Sequence, residues 1–452
     1  MSDVAAPLGA RDRSGRPGER IRVGFLAQEN LPVPPPVPGG SIARIVYHLA
    51  HELASGFDKR FDVTVCSLPH PYLPEGTLDG VRYLRVDADR DRRRHATYGQ
   101  LLRLLRRLDL PHRELQGMPF YAHGYASTGL RRLAELEPHI IHLQNVSQFL
   151  PLARRLAPRA KLVLQMNCDW LRQLHPRTAR RWLTDVDLVL GASNYIADRI
   201  REGFPELAQR CRTLYNGTDL ELLAPRDALP DPLRRLADEL RARFGLDGPV
   251  VLYVGGFAVE KGTIELLSAF ELVLRQVPDA TLLLVGAHNR YFQVRSPRGR
   301  RARAEAIRSR RTYRREVERV VARLGNRVVV VGGAPHDELA AYYALADVYT
   351  MPSTGPEPFS LTVPEAMGCG LPVVGTAHGG TLEIVEDRAT GLLVPPGDIP
   401  ALAAALVRLC RDRALARAIG SRARARVAQH FTWQAQGTRL AGYYEELVRS
   451  RL

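Results

Sequence analysis

What constrains this chain most is an alternation that runs twice along it. Short, almost wholly apolar segments are each followed by stretches whose apolar residues recur at helical spacing. In the first half the apolar segments are residues 21–28, 61–68, 81–86, 139–143, 161–166, 187–193 and 211–217. Helical spacing is plainest at Ile42, Ile45, Val46, Leu49, Ala50 and Leu53. The alternation restarts at residues 250–256 and continues at 281–286, 327–333, 346–353 and 371–376, before helices over roughly 399–411, 413–428 and 435–449. Segments without polar alternation are strands buried on both faces, so the sheets are parallel and helix-covered. The fold class read from this is α/β: two Rossmann-like, doubly wound parallel-sheet domains facing a cleft. Pro225, Pro230 and Pro232 cluster between the two halves. The expected organisation is a disordered lead over 1–20, a first domain over 21–215 and a second over 216–430, with a last helix over 431–452 crossing back to the first domain.

Composition narrows the function classes. At 452 residues the chain exceeds one comfortable core, and 45% apolar content is ordinary for soluble domains. No run approaches the roughly 18 apolar residues of a membrane span. Residues 1–20 lack the apolar stretch of a signal peptide. Five scattered cysteines, none in Cys-x2-Cys spacing, point to free thiols in a reducing cytosol and away from zinc. The net charge of +16 invites a nucleic-acid reading, yet all but three of the 64 basic residues are arginine, the bias of a GC-rich genome. Nucleic acid is therefore not the expected partner. The charge is expected to be mostly solvated, while still able to attract a diphosphate or an anionic membrane face. Residues 290–323 carry thirteen arginines against Glu305, Glu316 and Glu318. They read as an exposed mixed-charge helix, with a basic arm for an acidic acceptor, a membrane or nucleic acid as the alternative. Where arginine is used nearly everywhere, a retained lysine marks a need for a compact ammonium. Lys261, in VGGFAVEKG, stands where a phosphate would be held.

The richest segment is GPEPFSLTVPEAMGCGLPV, residues 355–373. Glu357 and Glu365 stand eight positions apart across a loop that turns into a helix. Backbone N–H groups there can meet an anion, and the flanking carboxylates can accept sugar hydroxyls. A nucleotide sugar needs that combination. Earlier, LPVPPPVPGG ends in Gly39 and Gly40, a pair that allows close approach of backbone to ligand.

With these motifs in this order over residues 21–450, the chain resembles the retaining glycosyltransferases of the glycogen synthase-like family 4, of GT-B fold, with spore-coat and natural-product members nearest. The resemblance implies that Gly39 and Gly40 lie near the donor phosphates and that Lys261 grips the pyrophosphate and the departing phosphate. It implies that Glu365 holds the ribose and that Glu357 acts at the transferred sugar. The amides of Phe359, Ser360 and Leu361 would meet sugar and phosphates, and the Gly332-Gly333-Ala334 turn would read the base. Glu357 and Lys261 are thus the implied catalytic residues. Ser193 reads as a helix cap, and Glu383 as capping or bracing the loop at Gly379 and Gly380. Two positions depart from the family pattern: Gly256 stands where an arginine is usual, and Asn167 where many relatives place histidine, near donor sugar or acceptor. The implied reaction is retaining, metal-independent and cofactor-free. A hexose-type sugar moves from a nucleoside diphosphate donor, UDP favoured, to a hydroxyl of an unknown small molecule or glycan. The expected location is cytoplasmic, with peripheral membrane contact through 290–323 open. The alternatives are a membrane-associated lipid glycosyltransferase and a non-catalytic nucleic-acid or carbohydrate-binding protein.

Overall fold

The computed structural model describes residues 20–35, 40–93, 121–286 and 300–449, with no account of the side chains of 58 and 300–311. Residues 1–19 of the expected lead, Gly39 and residues 290–299 lie outside the described residues.

Strands β1 (Ile21–Leu26), β2 (Phe61–Ser67), β3 (Gly76–Leu78), β4 (Val81–Arg85), β5 (Ile140–Gln144), β6 (Lys161–Met166), β7 (Leu188–Gly191) and β8 (Cys211–Thr213) form one sheet. Its order is β3-β4-β2-β1-β5-β6-β7-β8, and only the β3–β4 pair is antiparallel. Strands β9 (Val250–Val254), β10 (Thr281–Val285), β11 (Val328–Gly332), β12 (Val348–Met351), β13 (Val373–Thr376) and β14 (Gly391–Val394) form the second, ordered β11-β10-β9-β12-β13-β14 and parallel throughout. This is the doubly wound order of dinucleotide-binding sheets, so two Rossmann-like domains stand as the sequence indicated. Two strands escape sequence reading. β3 is three mostly exposed residues paired to its neighbour by a tight turn, and β14 is four residues, too short for periodicity to register. Several strands also end sooner than their apolar runs, because Gly255, Ser353 and similar residues already belong to the loops at the carboxyl ends.

Six helices matter to the site: α1 (Ser41–Ser55), α2 (Asn194–Gly203), α3 (Thr263–Leu274), α4 (Arg300–Leu324), α5 (Thr362–Gly368) and α6 (Trp433–Arg449). Helix α1 buries Ile45, Val46, Leu49, Ala50 and Leu53 of the stripe its sequence spacing marks, with Ala43 buried where the spacing marked the half-buried Ile42. Helix α6 inserts Trp433, Leu440 and Tyr444 into the core formed by α1 and the first sheet, with the Trp433 indole stacked on His48 at 4.6 Å. The chain thus crosses back to the first domain after completing the second. In α4, Tyr313, Val317 and Val320 are buried against the second-domain core. On its outer side Arg314 pairs with Glu318 and Arg319 with Glu316, each at 2.7 Å. That part is an amphipathic, mixed-charge helix. All five cysteines are free thiols.

In each sheet the order reverses beside its first strand, between β1 and β5 and between β9 and β12. Loops leaving neighbouring strands there part to opposite faces, which opens a crevice at the carboxyl ends. The loops after β9 and β12 carry Lys261 and Glu357, so topology gathers those two, while the loop after β1 in the other sheet carries Gly40.

Candidate active site

Lys261 closes a short 3-10 turn, Val259–Lys261, in the loop between β9 and α3. Gly262 then turns left-handed at φ 68°, and a Cβ there would lie 1.9 Å from the Pro352 carbonyl oxygen, so only glycine fits. The loops after β9 and β12 are laced together: the N–H groups of Thr354 and Gly355 donate to the Glu260 carbonyl at 3.0 and 3.1 Å. This brings Lys261 Nζ to 2.7 Å from Glu357 Oε1, an oxygen that also accepts from Ser353 Oγ at 2.6 Å. Glu357 is buried, and its carbonyl accepts the Gly380 N–H at 2.7 Å. Buried charge of this kind persists only when paired and hydrogen-bonded, as here.

Glu365, in α5, is 4% exposed. Tyr343 OH donates to its Oε2 at 3.0 Å, and Arg44 Nη1 donates to Oε1 at 3.2 Å. Burial raises its pKa above the ordinary carboxylate value, while the charge of Arg44 and the hydroxyl of Tyr343 oppose that rise. Arg44 comes from the first turn of α1, in the other domain, four residues past Gly40. Its Nη1 also lies 2.7 Å from His336 Nε2. Burial, then the Arg44 charge, push the His336 pKa down to about 4. His48, one turn further along α1, falls to about 3 for the same two reasons.

Phe359, Ser360 and Leu361 lead from Glu357 to α5. No backbone hydrogen bond among the described residues uses their N–H groups. Phe359 packs between Tyr215 and Phe431, while Ser360 Oγ lies 3.2 Å from Thr362 Oγ1. Gly256 is half-buried just past β9, its carbonyl accepting from Tyr253 OH at 2.8 Å. Ala334 is buried after β11, two residues before His336, so the turn assigned to the base also carries a partner of Arg44. Asn167 follows β6 in the first domain and donates through Nδ2 to Gln144 Oε1 at 3.0 Å, while its buried Oδ1 has no partner among the described residues. Gln144 belongs to a buried polar line that includes Gln165, His142 and Tyr444 OH, the last 2.6 Å from His142 Nδ1.

Ser193 caps α2 by accepting from Ile196 N–H, and its hydroxyl donates across the domain boundary to Pro358 O at 2.6 Å. Glu383 corrects the sequence reading. Its backbone N–H closes its own turn on the Gly380 carbonyl at 3.1 Å, but its carboxylate leaves that loop and accepts the N–H groups of Asn194 and Tyr195 at the start of α2 in the other domain. A cap on a helix more than 180 positions away has no local signature. Arg44, His336 and Tyr343 were missed for the same reason. Helical spacing placed α1, but nothing in its pattern marked Arg44 as facing a carboxylate of the other sheet. Among the described residues no group of three or more His, Cys, Asp or Glu side chains is placed to hold a metal ion. Nor, among those residues, is any helix long and apolar enough to cross a membrane.

Two facing Rossmann-like domains, with a lysine, two glutamates and unused amides at their strand ends, define a GT-B glycosyltransferase. The glycosyl transferases group 1 profile matches residues 237–426, and the glycosyltransferase family 4 profile matches 39–222. A GDP-mannose-dependent alpha-(1-6)-phosphatidylinositol monomannoside mannosyltransferase of Mycolicibacterium smegmatis is 31% identical over 304 residues, 64% of this chain and 71% of that one. Spore coat protein SA of Bacillus subtilis is 24% identical, over 94% of this chain and all of its own. Among solved structures, a sucrose-phosphate synthase from Thermosynechococcus elongatus superposes with a TM-score of 0.69 at 25% identity, covering 95% of this chain and 100% of that one. The Anabaena HepE structure with UDP-glucose superposes at 0.65 with 20% identity, over 94% and 100%. The chain belongs to glycosyltransferase family 4.

Proposed function

We propose that this protein transfers a hexose-type sugar, with retention, from a nucleoside diphosphate sugar to a hydroxyl of a small molecule or glycan. The observation that carries this reading is the Lys261–Glu357 pair, 2.7 Å apart at the β9/β12 switch point, with buried Glu365 eight residues further on. In this reading the second domain, 216–430, holds the donor and the first, 21–215, presents the acceptor, with Asn167 beside the donor sugar or acceptor.

Glu365 accepts the ribose hydroxyls, the turn at Ala334 meets the base, and the amides of Phe359, Ser360 and Leu361 meet the sugar and phosphates. Gly39 and Gly40 let the first-domain backbone approach the phosphates. The acceptor oxygen attacks C1 from the face that the diphosphate leaves. As the bond from C1 to the phosphate oxygen breaks and the new bond from C1 to oxygen forms, the acceptor proton passes to the departing phosphate. Lys261 neutralises charge growing on that phosphate, and Glu357 faces the positive charge growing on the sugar. No metal or cofactor has a part in this scheme, and the rate comes from positioning and fixed charge.

UDP stands first as donor nucleotide. GDP is the runner-up, favoured by the GDP-mannose dependence of the 31%-identical relative. The phosphatidylinositol monomannoside in the same relative's name supports a second reading, a lipid acceptor reached from the cytoplasmic membrane face. Liposome flotation at varied salt separates the two. The primary test is binding and slow hydrolysis of UDP-, GDP- and dTDP-sugars by wild type and Glu365→Ala, with and without EDTA, and the anomer of the product read by NMR. One nucleotide binding tightly, EDTA without effect, an unchanged anomer and failure of the variant are expected. No turnover of any donor together with intact DNA or RNA binding would replace the transferase reading with a non-catalytic one.

A further inference from the structure

Two cation–carboxylate pairs occupy the cleft. One, Lys261 with Glu357, lies within the second domain. The other, Arg44 with Glu365, joins the two domains across a sequence distance of 321 residues. The Arg44 side chain is 17% exposed and its buried Nε has no partner among the described residues. Its guanidinium presents a planar fork suited to phosphate oxygens. Glu365 has one oxygen engaged by Tyr343 and the other by Arg44. A ribose that bonds Glu365 Oε1 must share that oxygen with Arg44 or displace it, while a diphosphate arriving beside it offers that guanidinium a more highly charged partner. The loop after β9 brings a single cation, Lys261, because Gly256 has no side chain.

Resting on the donor site proposed above, we infer that Arg44 is a diphosphate-binding residue supplied by the first domain. It pairs with Glu365 while the site is empty. When donor enters, the guanidinium moves to the diphosphate and Glu365 turns to the neutral ribose hydroxyls. Opposite charges then remain adjacent, and no carboxylate is left facing a phosphate. The donor site is complete only with α1 in place, so nucleotide binding and docking of the two domains are one event. A latch that merely holds the empty cleft shut would use the same contact, and the experiment separates the two by the phosphates.

Affinities for UDP and uridine, or for GDP and guanosine if guanine binds instead, are measured by calorimetry on the full chain. Wild type, Arg44→Met, Arg44→Lys and Glu365→Gln are compared, with melting midpoints to confirm folding. The expected result is a loss of 10- to 100-fold in diphosphate affinity for Arg44→Met with nucleoside affinity unchanged or improved, and a smaller loss for Arg44→Lys. Glu365→Gln should do the reverse, weakening the nucleoside while keeping or enlarging the preference for diphosphate over nucleoside. Equal tightening of both ligands in Arg44→Met would establish the latch and overturn the inference, as would no change in either. Wild type binding no nucleotide at all would instead overturn the donor-site reading on which the inference rests.

Discussion

Glu383, in the second domain, accepts the backbone N–H of Asn194, the first residue of a first-domain helix, at 2.8 Å. Its other oxygen takes the N–H of Tyr195 at 2.7 Å. With Ser193 Oγ accepting from Ile196 at 3.2 Å, the first three amides of α2 are all satisfied, two of them from the other domain. The carboxylate also lies at the positive end of the helix dipole. The bond between the domains is therefore charged and geometrically specific, and Tyr215 OH, at 2.9 Å from Glu383 Oε2, ties it to the segment joining them.

Glu383→Ala should lower the unfolding midpoint, with a cost of about 1–3 kcal/mol for lost capping and charge-assisted bonds. Glu383→Gln should fall between, since an amide offers one acceptor oxygen. Thermal melts of both variants check this. A midpoint unchanged in Glu383→Ala would show that the contact contributes nothing to holding the domains.

Replacing Lys261 by methionine should lower kcat by about 10²–10³-fold, the range for removing one charged donor from a developing anion. Lys261→Arg should retain part of the rate. Steady-state kinetics with the donor that binds will decide; a change confined to KM would limit Lys261 to ground-state binding.

The interdomain histidines set an acid limit. His336 and His48 are half-buried, and desolvation with the nearby Arg44 charge pushes their pKa values from 6.5 down to about 4 and about 3. A depressed histidine pKa means the unfolded chain binds more protons, so stability is full above pH 6.5 and is lost as pH falls toward 4. The loss is on the order of 3 kcal/mol for a shift of this size. Glu365 acts in the opposite sense: its raised pKa adds stability on acidification, present below its unfolded value of 4.5 and lost as pH rises. Urea midpoints between pH 7 and 4 should therefore drop for wild type and flatten for a His48→Phe/His336→Gln pair. A wild-type profile flat over that range would contradict the burial of neutral imidazoles.

Gly380→Ala tests the seat of Glu357. A Cβ at Gly380 would lie 2.4 Å from the Pro358 carbonyl oxygen, so the Glu357–Pro358 backbone must shift. Loss of kcat by tenfold or more is expected, since small displacements of positioned groups cost rate steeply. Full activity in a folded variant would show that the loop tolerates the shift.

The sequence carried a good deal of this. Apolar runs such as residues 161–166 and 250–254 are local signals, because a strand buried on both faces must be apolar residue by residue. Glu357 and Lys261 could be singled out because each stands in a loop whose glycines and prolines mark it as such, and Glu365 because it lies eight positions on, in the helix that follows. Strands β3 and β14 were not: three or four residues are too few for a period, and their partners, not their own composition, make them strands. The same limit hid Arg44 among 64 basic residues.

The sequence by itself determined two doubly wound parallel sheets, with Glu357 and Lys261 on strand-end loops and Glu365 in the helix after one of them. Hydrophobic burial and turn chemistry act over a few residues and leave their period in the chain. Only the tertiary structure decided which side chains meet across the cleft: Arg44 with Glu365, Ser193 with Pro358, Glu383 with the first amides of α2. Those contacts depend on how two separately folded sheets are set against each other. That placement comes from surface complementarity and from the returning helix α6, whose helical spacing is legible in the sequence but does not say that Trp433 will pack against His48 of α1.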